Sequence, residues 1–178
     1  MGVLLAKRKE SLSLAEIKAI ELETQIAKLG IKLPQKYNRY GTARAYQLSS
    51  EIMDDITKGN HLYFAKDHIE NYQARQDYFN NAISKLHCLA SHVTFLCELV
   101  DPNLDISQED VKNQQQSNNA NVDNNKPKPK KIKIKPKDWY KIANLINECM
   151  AYVKKLKDSD VTRMESFISK NRSEERRV

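Results

Sequence analysis

Apolar residues recur at helical spacing in four separate stretches of the chain. The third stretch is the most regular, with apolar residues three and four positions apart from Phe79 to Val100. The fourth stretch repeats this spacing from Trp139 to Leu156. Alternating steps of three and four place side chains on one face of a helix, as in the seam of a helical bundle. The pattern therefore predicts two long amphipathic helices.

Two further helices are predicted before these. The first begins at Ser13-Leu-Ala-Glu16, which spells a capping box, and ends near Gly30, where a left-handed cap costs least. The second runs from about Arg39 or Thr42 to Lys58, and Gly59 is its stop signal. The apolar residues expected on one face are Leu14, Ile17, Leu22, Ile26 and Leu29 in the first helix, and Leu48, Ile52 and Ile56, preceded by Ala45 and Tyr46, in the second.

A long interruption, residues 101–137, separates the third and fourth predicted helices. Its middle part, 113–125, is mostly Asn and Gln, so it has little to bury and is expected to be disordered. The predicted fold is an all-α, antiparallel four-helix bundle over residues 13–160, with this insertion between helices three and four. Residues 1–12 are predicted to be a flexible N-terminus and 161–178 a charged tail.

Charge is concentrated in the last part of that insertion. Residues 126–137 contain seven Lys and no acidic residue, which equals the net charge of +7 of the whole chain. Interspersed prolines keep such a segment extended, and each Lys can neutralise one phosphate. The segment therefore favours nucleic acid or an acidic protein partner over an inert linker. We name it the lysine arm; its cations are Lys126, Lys128, Lys130, Lys131, Lys133, Lys135 and Lys137.

A second basic group lies where the second helix is predicted to begin. Lys36, Arg39 and Arg44 are interleaved with tyrosines, and Arg75 follows on the third helix. Arginine beside tyrosine can hold a phosphate and stack a base. The alternative interpretation is a solvated helix start with half-buried tyrosines. These four cations are candidate nucleic-acid contacts together with the lysine arm.

The residue patterns of common enzymes and cofactor sites are missing from the sequence. The four glycines stand alone, so they form no phosphate-binding loop, and no Glu-x-x-His pair is present for a di-iron site. Cys88 and His92 are four residues apart and could offer two zinc ligands, but a structural zinc site needs four. We therefore expect no catalytic activity, no metal and no cofactor.

The composition also indicates where in the cell the protein is located. The three cysteines lack the spacing of a disulfide framework and are expected to be reduced, as in the cytoplasm. The longest stretch without Asp, Glu, Lys or Arg inside the third helix is Leu86 to Cys97, which contains His87 and His92 and is shorter than the ~20 residues that cross a membrane. The sequence therefore predicts a cytoplasmic protein without a membrane role.

The order of these features resembles a known family. The first helix is followed by Leu33-Pro-Gln-Lys36, then by a short link with Gly41 and Arg44, and a long leucine seam follows Tyr72. This layout is similar to the accessory variability determinant proteins of diversity-generating retroelements, within the four-helix proteins encoded in ribosomal-RNA intervening sequences. The resemblance covers roughly residues 13–100 and 138–160, and the insertion departs from the family pattern.

The resemblance implies a specific function. Proteins of that family form a pentameric barrel with a basic surface, bind a reverse transcriptase and its template RNA, and support mutagenic cDNA synthesis without catalytic activity of their own. By position, Lys36, Arg39, Arg44 and Arg75 would contact RNA or the polymerase. The alternative is a helical protein-interaction or scaffold module without a nucleic-acid role.

Overall fold

The computed structural model describes residues 2–37, 41–65, 68–102, 104 and 134–175, and the side chains among them from 14 to 170. Within these ranges the chain is helical and contains no strand, which confirms the all-α prediction. The helices are α1 (Gly2–Lys32), α2 (Gln35–Tyr37), α3 (Ala43–His61), α4 (Asn71–Val100) and α5 (Pro136–Glu175).

Each long helix packs against two others: α3 lies between α1 and α4, and α5 contacts the same two helices. In α4, Lys85 binds Asp55 at 2.9 Å, while Arg75, ten residues earlier, reaches the carbonyl oxygen of Gly59 at 2.6 Å. Because the earlier α4 residue meets the later α3 residue, these two helices run in opposite directions.

Ion pairs show the same relation between α1 and α5. Lys18 binds Glu148 at 3.0 Å, and Lys32 binds Asp138 at 2.9 Å. The C-terminal end of α1 therefore lies beside the N-terminal end of α5.

The seams predicted for the two long helices are confirmed by burial. Each residue is at most 9 % exposed, except Val100, which is partly buried against the core. Regular spacing and large side chains identified these faces correctly. The buried seams are Phe79, Ala82, Leu86, Leu89, Val93 and Leu96 in α4, and Trp139, Ile142, Ile146, Cys149, Val153 and Leu156 in α5.

The inner face of α1 differs from the predicted one. Leu14 and Ile17 are 41 % and 49 % exposed, whereas Ala15 and Ala19 are buried with Leu22, Ile26 and Leu29. The face was wrong at its N-terminal end because α1 carries apolar residues on two sides, and the inner positions there hold the smaller side chains.

The ends of α1 also differ from the prediction. The helix begins at Gly2, so Ser13 lies inside it and is not its N-cap. It continues through Gly30 to Lys32, and no described glycine has a positive φ. Pro34 supplies the stop, because it disfavours helical backbone at the residue before it.

At the other end of the chain, α5 is longer than predicted. It continues to Glu175, so residues 161–175 of the predicted charged tail are helical. The Phe167 ring packs 5.6 Å from that of Phe64, and Asp160 is buried. The ring contact and the burial of Asp160 explain why the helix continues past the predicted end at residue 160.

By length and composition, one helix in the described part of the chain, α4, could cross a membrane. Its seam is buried against α3 and α5, which is the position of a core helix. That packing explains the apolar residues of its seam, whereas Phe95 and Leu99 lie outside it and are exposed.

Candidate nucleic-acid interface

The Lys32–Asp138 ion pair fixes the place from which the lysine arm leaves the folded helices. The ammonium nitrogen of Lys32 lies 2.9 Å from a carboxylate oxygen of Asp138, which joins the last turn of α1 to the first turn of α5. The arm ends at Lys137, one residue before Asp138. Cations from α1 and from the arm therefore lie at the same end of the protein, which we call the basic end.

Local sequence explains why α5 begins here. Pro136 occupies the first turn, where a missing N–H costs nothing. The backbone N–H of Lys135 donates to Asp138 at 3.1 Å, which is the return bond of a capping box. This cap holds the last two cations of the arm, Lys135 and Lys137, in defined and exposed positions.

The neighbours of Asp138 keep its carboxylate ionised. Partial burial alone would raise its pKa, but hydrogen bonds from the Lys32 ammonium and the Lys135 amide, with the charges of Lys32 and Lys137, lower it. The carboxylate therefore stays ionised and keeps its hold on α1 at neutral pH.

Two of the candidate cations are exposed at the same end. Lys36, on α2, lies with its Nζ 4.6 Å from the centroid of the Tyr37 ring. Arg44, in the first turn of α3, donates to the side-chain oxygen of Gln47 at 3.2 Å. Because α3 begins where α1 ends, Arg44 joins Lys36 and the start of α5 around the basic end.

Arg75 requires a correction. It is only 1 % exposed, its Nε donates to Asp160 at 2.8 Å, and its NH1 group donates to the carbonyl oxygens of Gly59 and Leu62, both at 2.6 Å. A guanidinium that is buried and hydrogen-bonded in this way cannot reach a nucleic acid at the surface. The prediction that Arg75 belongs to a basic surface is wrong, because its charge is used inside the core.

The remaining candidate cations lie outside the described residues. They are Arg39 and five cations of the lysine arm, Lys126, Lys128, Lys130, Lys131 and Lys133.

Three exposed lysines enlarge the basic end and were not among the predicted contacts. Lys28 and Lys32 lie in the last two turns of α1, and Lys141 follows Lys137 by one turn of α5. An antiparallel arrangement of α1 and α5 brings these turns together, so the topology together with the charge pattern would have identified them.

Lys137 and Lys141 border a groove of about 460 Å³ between α1 and α5. Farther along the groove, Lys18 donates to Glu21 and Glu148, and these bonds raise the pKa of Lys18. Hydrogen bonding by Lys18, with a weaker contribution from Lys141, lowers the pKa of Glu21. The charges of Lys18, Glu21 and Glu148 therefore offset one another at one end of the groove. Lys137 and Lys141 make its other end, near the start of α5, basic.

Cys88 and His92, which were considered above as two zinc ligands, do not belong to a larger group of metal-binding side chains. Cys88 is exposed, and the ring nitrogen Nε2 of His92 lies 2.7 Å from the carbonyl oxygen of Gly41. Across the described residues, no three His, Cys, Asp or Glu side chains are grouped so that they could hold a metal ion. His92 instead connects α4 to the segment that precedes α3.

Comparisons with protein-family models, with curated proteins and with solved structures find no match to this chain. The family resemblance drawn from the sequence therefore stays a prediction.

Proposed function

We propose that this chain is a non-catalytic nucleic-acid-binding accessory protein. The observation that carries the proposal is the Lys32–Asp138 ion pair, which gathers exposed cations from α1 and α5 at the base of the lysine arm. Grouped lysines bind phosphates without reading sequence, and the affinity falls as salt displaces the released counterions. A fixed basic end with an extended arm suits a long anionic polymer better than a small ligand.

The tyrosines near this end favour single strands. Tyr37 lies beside Lys36 and is partly buried against the core, and Tyr140, also partly buried, follows the arm by three residues. Aromatic rings that flank phosphate-binding cations can stack on unpaired bases, which are open in single-stranded RNA and closed in a duplex. We therefore expect single-stranded RNA to bind more tightly than duplex DNA of equal length.

The polymerase partner is proposed from the resemblance alone. In this proposal an antiparallel four-helix bundle holds the basic end, and the protein binds a reverse transcriptase and its template RNA in a diversity-generating retroelement. The neighbouring gene is the simplest first observation, since a reverse transcriptase beside it would support this role.

The direct test is fluorescence anisotropy with a labelled single-stranded RNA and a duplex DNA of the same length. Lys36→Gln combined with Lys137→Gln removes two exposed charges from the basic end. Lys154→Gln combined with Lys155→Gln removes two exposed charges from the middle of α5 and serves as the matched control. The proposal expects weaker RNA binding by about tenfold in the first variant and little change in the control. Equal losses in both variants would contradict a localised interface.

One observation favours the interaction-module alternative. Phe95 and Leu99, four residues apart on the outer side of α4, are 54 % and 48 % exposed. The helix carries no Asp, Glu, Lys or Arg from Leu86 to Cys97. An exposed apolar face of this kind is typical of protein contacts. If this face binds the polymerase, Phe95→Glu will abolish its capture in a pull-down while RNA affinity is unchanged. Unchanged capture would remove this alternative.

A further inference from the structure

Helix α1 has a second apolar face that points away from the core. Its members follow one another at steps of three and four residues, as in a helix–helix seam. Leu14, Ile17, Ile20 and Ile31 are 41 %, 49 %, 48 % and 86 % exposed. The outer face consists of Leu14, Ile17, Ile20, Thr24, Ala27 and Ile31, all exposed, and we call it the outer seam.

Each of the two apolar faces of α1 needs another surface to pack against. The inner face of α1, from Ala15 to Leu29, is buried against α3 and α5. A helix that is apolar on both sides is expected to be covered on both sides, because each exposed Ile costs free energy in water. Thr24 and Ala27 are small, so a second helix can approach closely at the middle of the outer seam.

The charges beside the outer seam indicate what covers it. Glu21, which also binds Lys18 of its own chain at 2.9 Å, and Lys28 are seven residues apart, about two helical turns, so they lie on the same side of the seam. A second α1 that runs antiparallel, centred between Thr24 and Ala27, places Glu21 beside the partner's Lys28. Two-fold symmetry makes this pair twice. The same register sets Ile20 against the partner's Ile31.

A parallel arrangement is less favourable. It would place Glu21 beside the partner's Glu16, a like-charge contact that offsets the attraction between Lys28 and the partner's Glu23. It would also bring two basic ends together at one end of the assembly. In the antiparallel arrangement the basic ends lie at opposite ends and do not repel each other at short range.

We propose that the outer seam of α1 is a two-fold, antiparallel contact between two copies of this chain. A contact of this type is self-complementary and closes at two copies. It therefore gives a dimer, in contrast to the five-subunit ring that the family resemblance implies. The inference does not depend on the proposed nucleic-acid role.

Sedimentation equilibrium of the full chain tests this proposal. The wild-type protein is expected to reach twice its 20.6 kDa mass as the concentration rises. Ile20→Glu should weaken the dimer about tenfold or more, because it places a charge in the seam. Ile168→Glu changes an apolar residue of similar exposure, 42 %, on α5 and should leave the dimer intact. Circular dichroism checks that both variants remain helical.

A charge exchange tests the direction of the partner helix. Glu21→Lys should weaken the antiparallel dimer, because it faces the partner's Lys28, and adding Lys28→Glu should restore it. In a parallel pair the single change would instead relieve a repulsion and tighten the contact. A monomer at all concentrations, an odd-numbered assembly, an unaffected Ile20→Glu dimer or a tighter Glu21→Lys dimer would each overturn the proposal.

Discussion

Arg75 and Asp160 form an ion pair across 85 residues of sequence, with Nε and Oδ2 2.8 Å apart and both side chains at most 3 % exposed. The guanidinium lies 5.2 Å from the centre of the Phe79 ring and also binds carbonyl oxygens at the end of α3. One side chain thus joins α3, α4 and α5 at the end of the protein opposite the basic end.

Replacing Arg75 should be strongly destabilising. Arg75→Met leaves the Asp160 carboxylate buried without its main partner, and such a loss typically costs about 3–5 kcal/mol. Urea unfolding followed by circular dichroism measures the free energy of unfolding. Arg163→Gln is the control, because Arg163 is about one-third exposed and lies 3.5 Å from the other oxygen of Asp160. It should cost at most about 1 kcal/mol. Similar losses in both variants would contradict a special role for the buried pair.

Gly59 and Gly30, which both lie inside helices, should respond to alanine with opposite signs. A Cβ at Gly59 would lie 2.6 Å from the ring of Phe79, so Gly59→Ala should cost about 1–3 kcal/mol through overpacking. Gly30 lies inside α1 with ordinary helical backbone, and Gly30→Ala should stabilise the protein by up to about 1 kcal/mol. Thermal unfolding of both variants gives the two signs. Stabilisation by Gly59→Ala would show that α3 and α4 pack less closely than described.

The three cysteines should react at different rates with a thiol reagent. Cys88 is exposed on α4, whereas Cys97 and Cys149 are fully buried. At neutral pH the folded protein should be labelled only at Cys88, and all three thiols should react in denaturant. Mass spectrometry counts the labels. A second label in the folded protein within the same time would indicate that the core opens readily.

Stability should fall in alkaline solution through Cys149. Burial raises the pKa of the Cys149 thiol from its ordinary 9.0 to about 12. The neutral thiol therefore stabilises the fold fully below pH 9, and this contribution is lost as the pH rises from 9 toward 12, where the unfolded chain loses its proton first. The difference in unfolding free energy between wild type and Cys149→Ala should therefore shrink over this range. A constant difference would contradict the assignment.

The parts of the fold that the sequence predicted correctly depend on local spacing. The seams of α4 and α5 have large apolar residues at regular steps of three and four, and one face of each helix stands out clearly. In α1 the predicted inner face was wrong at its N-terminal end. Leu14 and Ile17 lie on the outer seam, and the smaller Ala15 and Ala19 are buried. Local periodicity cannot choose between two apolar faces without knowing which one meets the other helices.

The parts that the sequence missed depend on distant contacts. The sequence alone predicts that Arg75 is a surface cation, because most arginines are exposed. Its partner Asp160 lies near the predicted end of the last helix. The continuation of α5 likewise depends on Phe167 meeting Phe64. Within the candidate interface, Lys36 and Arg44 were named from local residues, whereas Lys32 is recognised only through its bond to Asp138.

The most direct test of the proposed nucleic-acid role is the salt dependence of RNA binding. Each lysine that neutralises a phosphate of a single strand adds about 0.7 to the slope of log affinity against log salt. The full chain is compared with a variant in which all seven lysines of residues 126–137 are replaced by Gln. The account predicts that the slope becomes shallower by several units and that affinity at low salt falls by at least about a hundredfold. An unchanged slope and affinity in the variant would contradict it.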